Sequence, residues 1–214
     1  MKITDVQACV IGREEAHSGG CIWTFVRVYT DEGLVGTGEC SSAGSFTSGF
    51  ATKETVLAMK PLLVGKDPVN IGPLYEDMRR RARYGGGSSA PIIFALTGIE
   101  NALYDIVGKA LGVPIYTLLG GKFRDSIRLY ADCHAGQDET PQAYAEKALQ
   151  VIEEGYSAVK FDVDSTGVGK LDRYNWTVGA REMTHAINVI QALREGVGYE
   201  VDLAIDCHGQ FDLP

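Results

Sequence analysis

The sequence predicts two fold classes in succession: an α+β unit over residues 1–125, then the opening of a parallel β/α unit over residues 126–214. Three patterns lead there. Three strand-like segments crowd the first forty residues with polar breaks between them. Two helical patterns and one long apolar stripe follow with no further strand. After Gly120-Gly121 the order becomes strand, helix, strand, helix, strand, which calls for parallel pairing through helical crossovers.

Residues 2–12 and 21–30 alternate apolar and polar positions, Asp31-Glu32-Gly33 makes a turn, and 34–40 reads as a third strand of an antiparallel meander. The polar, Gly-containing segments 13–20 and 41–49 leave the same end of that sheet, where a lid over a neighbouring site can form. Helices are predicted over 50–62 and 68–83, the second opened by Asp67 as N-cap and Pro68 at its first position. The arginines at 79–81 and 83 suit the negative end of a helix dipole. Neither Gly85-Gly86-Gly87 nor Gly120-Gly121-Lys122 is a phosphate loop, because no Gly-Lys-Ser/Thr completes either one.

Residues 91–111 form the strongest helix. Ile92, Leu96, Ile99, Leu103, Ile106 and Ala110 draw one apolar stripe, and Gly112 and Pro114 stop it. Glu100 and Asp105 on this core helix read as packing-interface polar groups. In the second unit, strands are predicted over 127–134, 157–164 and 201–206. Helices lie between them over 140–154, capped by Thr140, and over 178–195 after a polar insertion at 165–177.

Composition excludes several classes. The chain has 214 residues, 45% hydrophobic and 22% charged, enough to bury a real core. A formal net charge of −8 argues against nucleic acid or an anionic membrane as partner. No apolar run approaches the ~20 residues that span a bilayer. Met1-Lys2-Ile3 runs straight into a strand pattern with no signal-peptide core. The five cysteines, odd in number and without a Cys-x-x-Cys pair, read as buried reduced thiols of a cytoplasmic protein.

The chemistry gathers where parallel β/α units place it, at the C-terminal ends of strands. The first such strand ends in His134, the second carries Lys160, Asp162 and Asp164, and the third ends in Asp206 and His208. Two-residue spacing puts Lys160 with Asp162, and Asp206 with His208, on common faces. Any one pair could be a structural ion pair. Three adjacent strands ending this way indicate a site able to hold a hard cation and move a proton beside it. His17, in the first lid-like loop, is a candidate substrate contact, as is His134, whereas His185 inside a helix reads as solvated.

These residues resemble the enolase superfamily, in its mandelate racemase/muconate lactonizing branch, and the acid-sugar dehydratases of that branch most of all. The resemblance spans the chain. It rests on the run from Gly98 to Gly121, on Tyr156-Ser157-Ala158-Val159-Lys160 and on Leu203-Ala204-Ile205-Asp206-Cys207-His208. It implies an α+β capping domain followed by the first part of a modified (β/α) TIM-type barrel. It also implies an active-site Mg²⁺ that stabilises the charge formed when a base removes the proton α to a substrate carboxylate. Asp206 matches the first metal ligand, and Lys160 the first lysine of the family's second-strand Lys-x-Lys. Asp162 stands where the second lysine, often a racemase base, would be. His208 resembles the general acid that protonates the departing β-hydroxyl in dehydratases.

The expected reaction is loss of water from a sugar acid. A racemase, epimerase or cycloisomerase of the same superfamily, or a non-catalytic binding module, are the alternatives. The stretch from Ile127 to Pro214 is far short of the about 250 residues of a complete barrel. The remaining ligands and the base are therefore expected on missing or separate sequence, and the chain alone is expected to have no turnover. Homo-oligomers are common in such families, and one is expected here.

Overall fold

The computed structural model describes residues 1–12, 22–40, 46–82, 89–136, 138–163 and 178–207, with the side chains of 46–48 left aside. The chain divides into two compact units, Met1–Phe123 and Arg124–Pro214.

The first unit opens with β1 (Ile3–Gly12), β2 (Ile22–Thr30) and β3 (Val35–Cys40). They form an antiparallel sheet in the order β1-β2-β3, with Val6 opposite Val28 and Val26 opposite Gly38. Strand alternation sorts β2 into a buried row, Ile22, Thr24, Val26, Val28 and Thr30, and an outward row that includes Arg27. Four helices follow: α1 (Phe46–Leu63), α2 (Ile71–Ala82), α3 (Ala90–Leu111) and the single turn α4 (Ile115–Leu118).

Helix α3 is the centre of this unit's core. Its Leu96, Ile99, Leu103 and Ile106 are fully buried together with Val26, Val28, Val56 and Leu63. The helix lies directly on β3 because β3 presents glycines there. A Cβ placed on Gly36 would come within 2.0 Å of the Ala102 carbonyl oxygen, and one on Gly38 within 2.0 Å of the Gly98 carbonyl oxygen. Polar groups fasten the same contact: the Thr37 amide donates to Asp105 Oδ2 at 2.9 Å, and Lys109 donates to Asp105 at 2.6 Å and to the Val35 carbonyl at 2.7 Å. Asp105 is therefore the packing-interface group its position predicts. Gly112 caps α3 at φ 68°, a left-handed conformation that suits glycine.

Several expectations are corrected in this unit. Residues 46–49 are the first turn of α1 and not part of a loop. Asp67-Pro68 does not open α2, which starts three residues later than predicted; Asp67 instead accepts from the Val69 amide in a turn before the helix. Cys9 is exposed, although Cys40 and Cys133 are buried. Ala90–Leu111 is long and apolar enough to cross a membrane by composition, contrary to the expectation that no stretch is; here that stretch forms the core. Arg79 and Arg80 bond Glu76 on their own helix, and those bonds hold the Glu76 carboxyl down at about 2. Their pairing is a solvated helix face, worth little in stability.

The second unit contains β4 (Ala131–Cys133), α5 (Pro141–Glu153), β5 (Ala158–Asp162), α6 (Ala180–Val197) and β6 (Asp202–Asp206). The strands are parallel in the order β4-β5-β6. Thr140 caps α5 by accepting from the Ala143 amide, as its spacing predicts. Cys133, Val159 and Phe161 project from one face of the sheet into a core with Tyr144, Ala148 and Val151 of α5 and Val189 and Leu193 of α6. Phe161 meets Tyr144 edge to face at 5.4 Å between ring centres.

Here too the sequence reading needs correction. The first strand was expected from Ile127, but only Ala131–Cys133 pairs with β5, and Ile127, Leu129 and Tyr130 are exposed. Arg128 explains what that segment does instead: its guanidinium bonds the Ser157 hydroxyl and carbonyl and Asp202, tying the entries of β5 and β6 together. His185 is half-buried, and its Nε2 is buried without a hydrogen-bond partner, so it is not the solvated residue its helix position suggested.

Candidate active site

Because Val159 and Phe161 point into the helices, the alternating residues Lys160 and Asp162 must point to the other side of the sheet. Register then decides what they meet. Lys160 pairs with Asp132 on β4 and Ala204 on β6, and Asp162 pairs with Asp206. The face away from the helices thus carries Asp132, Lys160, Asp162 and Asp206, with only a methyl group at position 204 to leave room beneath Asp206 for the lysine arm.

The ammonium of Lys160 is the hub of this face. It donates to Asp206 Oδ2 at 3.1 Å and reaches Asp132 Oδ1 at 3.1 Å and Asp162 Oδ1 at 3.4 Å. The Lys160 side chain is 15% exposed and that of Asp162 11%. Burial works against the lysine's charge, but the bonds to Asp132 and Asp206 and the charge of Asp162 outweigh it, and its pKa lies above the ordinary lysine range. His134 comes to the same end of the sheet, with Nδ1 3.8 Å from Asp162 Oδ2, too long for a hydrogen bond, and with its Nε2 buried and unpartnered.

Four of the seven residues singled out from the sequence are therefore brought together: Lys160, Asp162, Asp206 and His134. The other three, His17, Asp164 and His208, lie outside the described residues. Asp132 was missed. Its two-residue spacing from His134 was a usable signal, but only the β4–β5 register makes it the lysine's neighbour.

The face fits one ligand of a cation seat rather than a whole one. Asp206 offers the carboxylate oxygens that a hard cation such as Mg²⁺ prefers, and it already attracts a positive group, the Lys160 ammonium. Among the described residues, no group of three or more His, Cys, Asp or Glu side chains is arranged to hold a metal ion.

An α+β unit, a parallel β/α unit and charged groups gathered at its strand ends define a protein of the cap-and-barrel class. Comparison with known proteins agrees. Residues 17–120 match the family described as mandelate racemase/muconate lactonizing enzyme, N-terminal domain, and residues 143–214 match the enolase C-terminal domain-like family. A D-xylonate dehydratase from Haloferax volcanii is 42% identical over 211 residues, 98% of this chain and 48% of its own length. A D-galactonate dehydratase from Pectobacterium atrosepticum is 34% identical over 193 residues, 90% of this chain and 46% of its own. The crystal structure of a mandelate racemase/muconate lactonizing enzyme-like protein from Rubrobacter xylanophilus superposes with a TM-score of 0.86 at 35% identity, over 99% of this chain and 55% of that one. A member of the enolase superfamily from Salmonella Typhimurium superposes with a TM-score of 0.83 at 32% identity, over 99% and 56%. The chain belongs to the enolase superfamily, in the mandelate racemase/muconate lactonizing branch. It spans about half the length of the curated relatives it matches.

Proposed function

We propose that this chain supplies the capping unit and the first three barrel strands of a Mg²⁺-dependent acid-sugar dehydratase. The observation that carries the reading is the meeting of Lys160 and Asp206, from adjacent strands, 3.1 Å apart. The dehydratases among its relatives set the reaction class. The substrate would be a small carboxylate with hydroxyls on neighbouring carbons. Removing the proton α to the carboxylate and the hydroxyl on the β-carbon releases one water and leaves an enol, which becomes a 2-keto-3-deoxy acid.

Asp206 would hold Mg²⁺ by a carboxylate oxygen, and the cation when bound would stabilise the charge that builds on the substrate carboxylate. Lys160, held as a cation by its carboxylate neighbours, suits an electrostatic partner of that carboxylate better than a base. Asp162 adds a negative charge beside the lysine, and His134 next to it is a candidate contact for substrate hydroxyls. His208, two residues after Asp206, would give its proton to the departing hydroxide, which is otherwise a poor leaving group near neutral pH. His17 remains a candidate substrate contact from the cap. The base that takes the α-proton would come from a later strand.

The test is to incubate the complete polypeptide that carries these residues with Mg²⁺ and a panel of sugar acids that includes D-xylonate and D-galactonate. A 2-keto-3-deoxy product from at least one is expected. Uptake of solvent deuterium at the α-carbon with no loss of water would replace this reading with the racemase or epimerase alternative.

A further inference from the structure

Three carboxylates share the Lys160 ammonium, and they are not equivalent. Asp206 is at once a hydrogen-bond acceptor for Lys160 and, in the reading above, a ligand for Mg²⁺. The Lys160 ammonium and a metal ion compete for the negative charge of the one Asp206 carboxylate, so the ion binds more readily when the lysine has another partner to hold it. Asp162 is too far at 3.4 Å to hold it alone. Asp132 is the remaining partner: it sits directly across the strand pair from Lys160 and contacts Nζ at 3.1 Å from the side opposite β6.

We propose that Asp132 is a positioning residue for Lys160, anchoring the ammonium toward β4 so that Asp206 can yield it and take a divalent cation. Neither the strand-end pattern nor the family resemblance pointed to this residue. Asp132 is half-exposed and outside the buried core, so its role is not to fill space. Its effect on the metal is transmitted through the lysine: with Asp132 in place the lysine is retained at the edge of the site, and without it the lysine falls back on Asp206.

The inference rests on the reading of Asp206 as a ligand, and the experiment separates the two. Mn²⁺ binding, followed by electron paramagnetic resonance, is measured on the metal-free complete polypeptide in the wild type and in Asp132→Asn, Lys160→Met, the double variant, Asp132→Glu and Asp206→Asn. Asp132→Asn is expected to weaken Mn²⁺ binding roughly tenfold, the size of effect typical of groups that orient a metal ligand. Lys160→Met should cancel that loss, so that the double variant binds like Lys160→Met alone. Asp132→Glu, which keeps a carboxylate, should bind close to wild type. A loss that persists in the Lys160→Met background would mean that Asp132 acts as a bare charge and overturns the proposal, as would unchanged binding in Asp132→Asn. If Asp206→Asn binds Mn²⁺ like the wild type, it is the ligand reading that fails. Circular dichroism of each variant establishes that it is folded, and Asp132→Ser takes the place of Asp132→Asn if the latter is not.

Discussion

The ammonium of Lys160 and the carboxylate of Asp206 lie 3.1 Å apart although 46 positions separate them in the chain. The parallel pairing of β5 with β6 brings them together, and strand alternation aims both away from the helices. Asp206→Asn keeps the shape of the side chain and removes the anionic oxygen that a hard cation needs. In the complete enzyme this substitution is expected to lower turnover by at least about a hundredfold, in line with losing a metal contact. Chelation of the wild type with EDTA should do the same and added Mg²⁺ should reverse it. Substrate turnover with and without chelator measures both.

Phe161 stands between Lys160 and Asp162 in the chain and points the opposite way, into the core with Tyr144. It is fully buried, and truncation to alanine removes its ring from the core and leaves a cavity there. Phe161→Ala is expected to destabilise the second unit by about 3–5 kcal/mol. Because the same strand carries Lys160, the variant should also lose activity, more steeply as temperature rises. Denaturant titration monitored by circular dichroism checks the first effect and turnover against temperature the second.

How much of this was legible in the sequence differs between the two units. The meander, the α3 stripe with its Gly112 stop and the Thr140 cap were legible because each rests on near-neighbour chemistry. The site was half legible: alternation put Lys160 with Asp162 on one face. No local rule gives the β4–β5 register, so Asp132 was invisible as a partner of Lys160. The start of β4 was misjudged because Ile127, Leu129 and Tyr130 alternate like a strand yet pair with nothing among the described residues, Arg128 being taken up by Ser157 and Asp202. Asp67-Pro68 misled for a related reason: a capping side chain and a proline serve a turn as well as a helix start.

Gly38, like Gly36, lets α3 lie directly on the sheet. Its φ lies outside the left-handed region, so alanine there meets no backbone strain, only the Gly98 carbonyl oxygen at 2.0 Å and the Ala102 amide nitrogen at 2.8 Å. Both obstacles are backbone and cannot swing aside. Gly38→Ala must therefore lift the helix from β3 or bend the strand, at an expected cost of about 1–3 kcal/mol or more, the range for overpacked cores. Gly33→Ala is the useful contrast. It has open space but a φ of 82°, so its cost comes from conformation and leaves the helix contact intact. Melting temperatures of both variants, with hydrogen exchange of the α3 amides, distinguish them: exchange in α3 should rise in Gly38→Ala alone.

Cys40 and Cys9 sit in the same sheet and should behave oppositely toward electrophiles. Cys40 is 1% exposed, and burial pushes its thiol up to about 12, whereas Cys9 is exposed. At pH 8, iodoacetamide is expected to label Cys9 within minutes and to spare Cys40 until denaturant is added, because the thiolate is the reactive form. The sign for stability follows from the raised value. An unfolded thiol ionises near about 8.5, so the stabilising contribution of a neutral, buried Cys40 is complete below that pH and is lost progressively as pH rises toward 12. Cys40→Ala should therefore be less stable than wild type at pH 7 through lost packing, yet should lose less of its remaining stability between pH 9 and 11. Peptide mapping after alkylation checks the first expectation and denaturant midpoints across that pH range the second; equal alkaline slopes in the two proteins would mean that Cys40 ionises no later in the folded state than in the unfolded one.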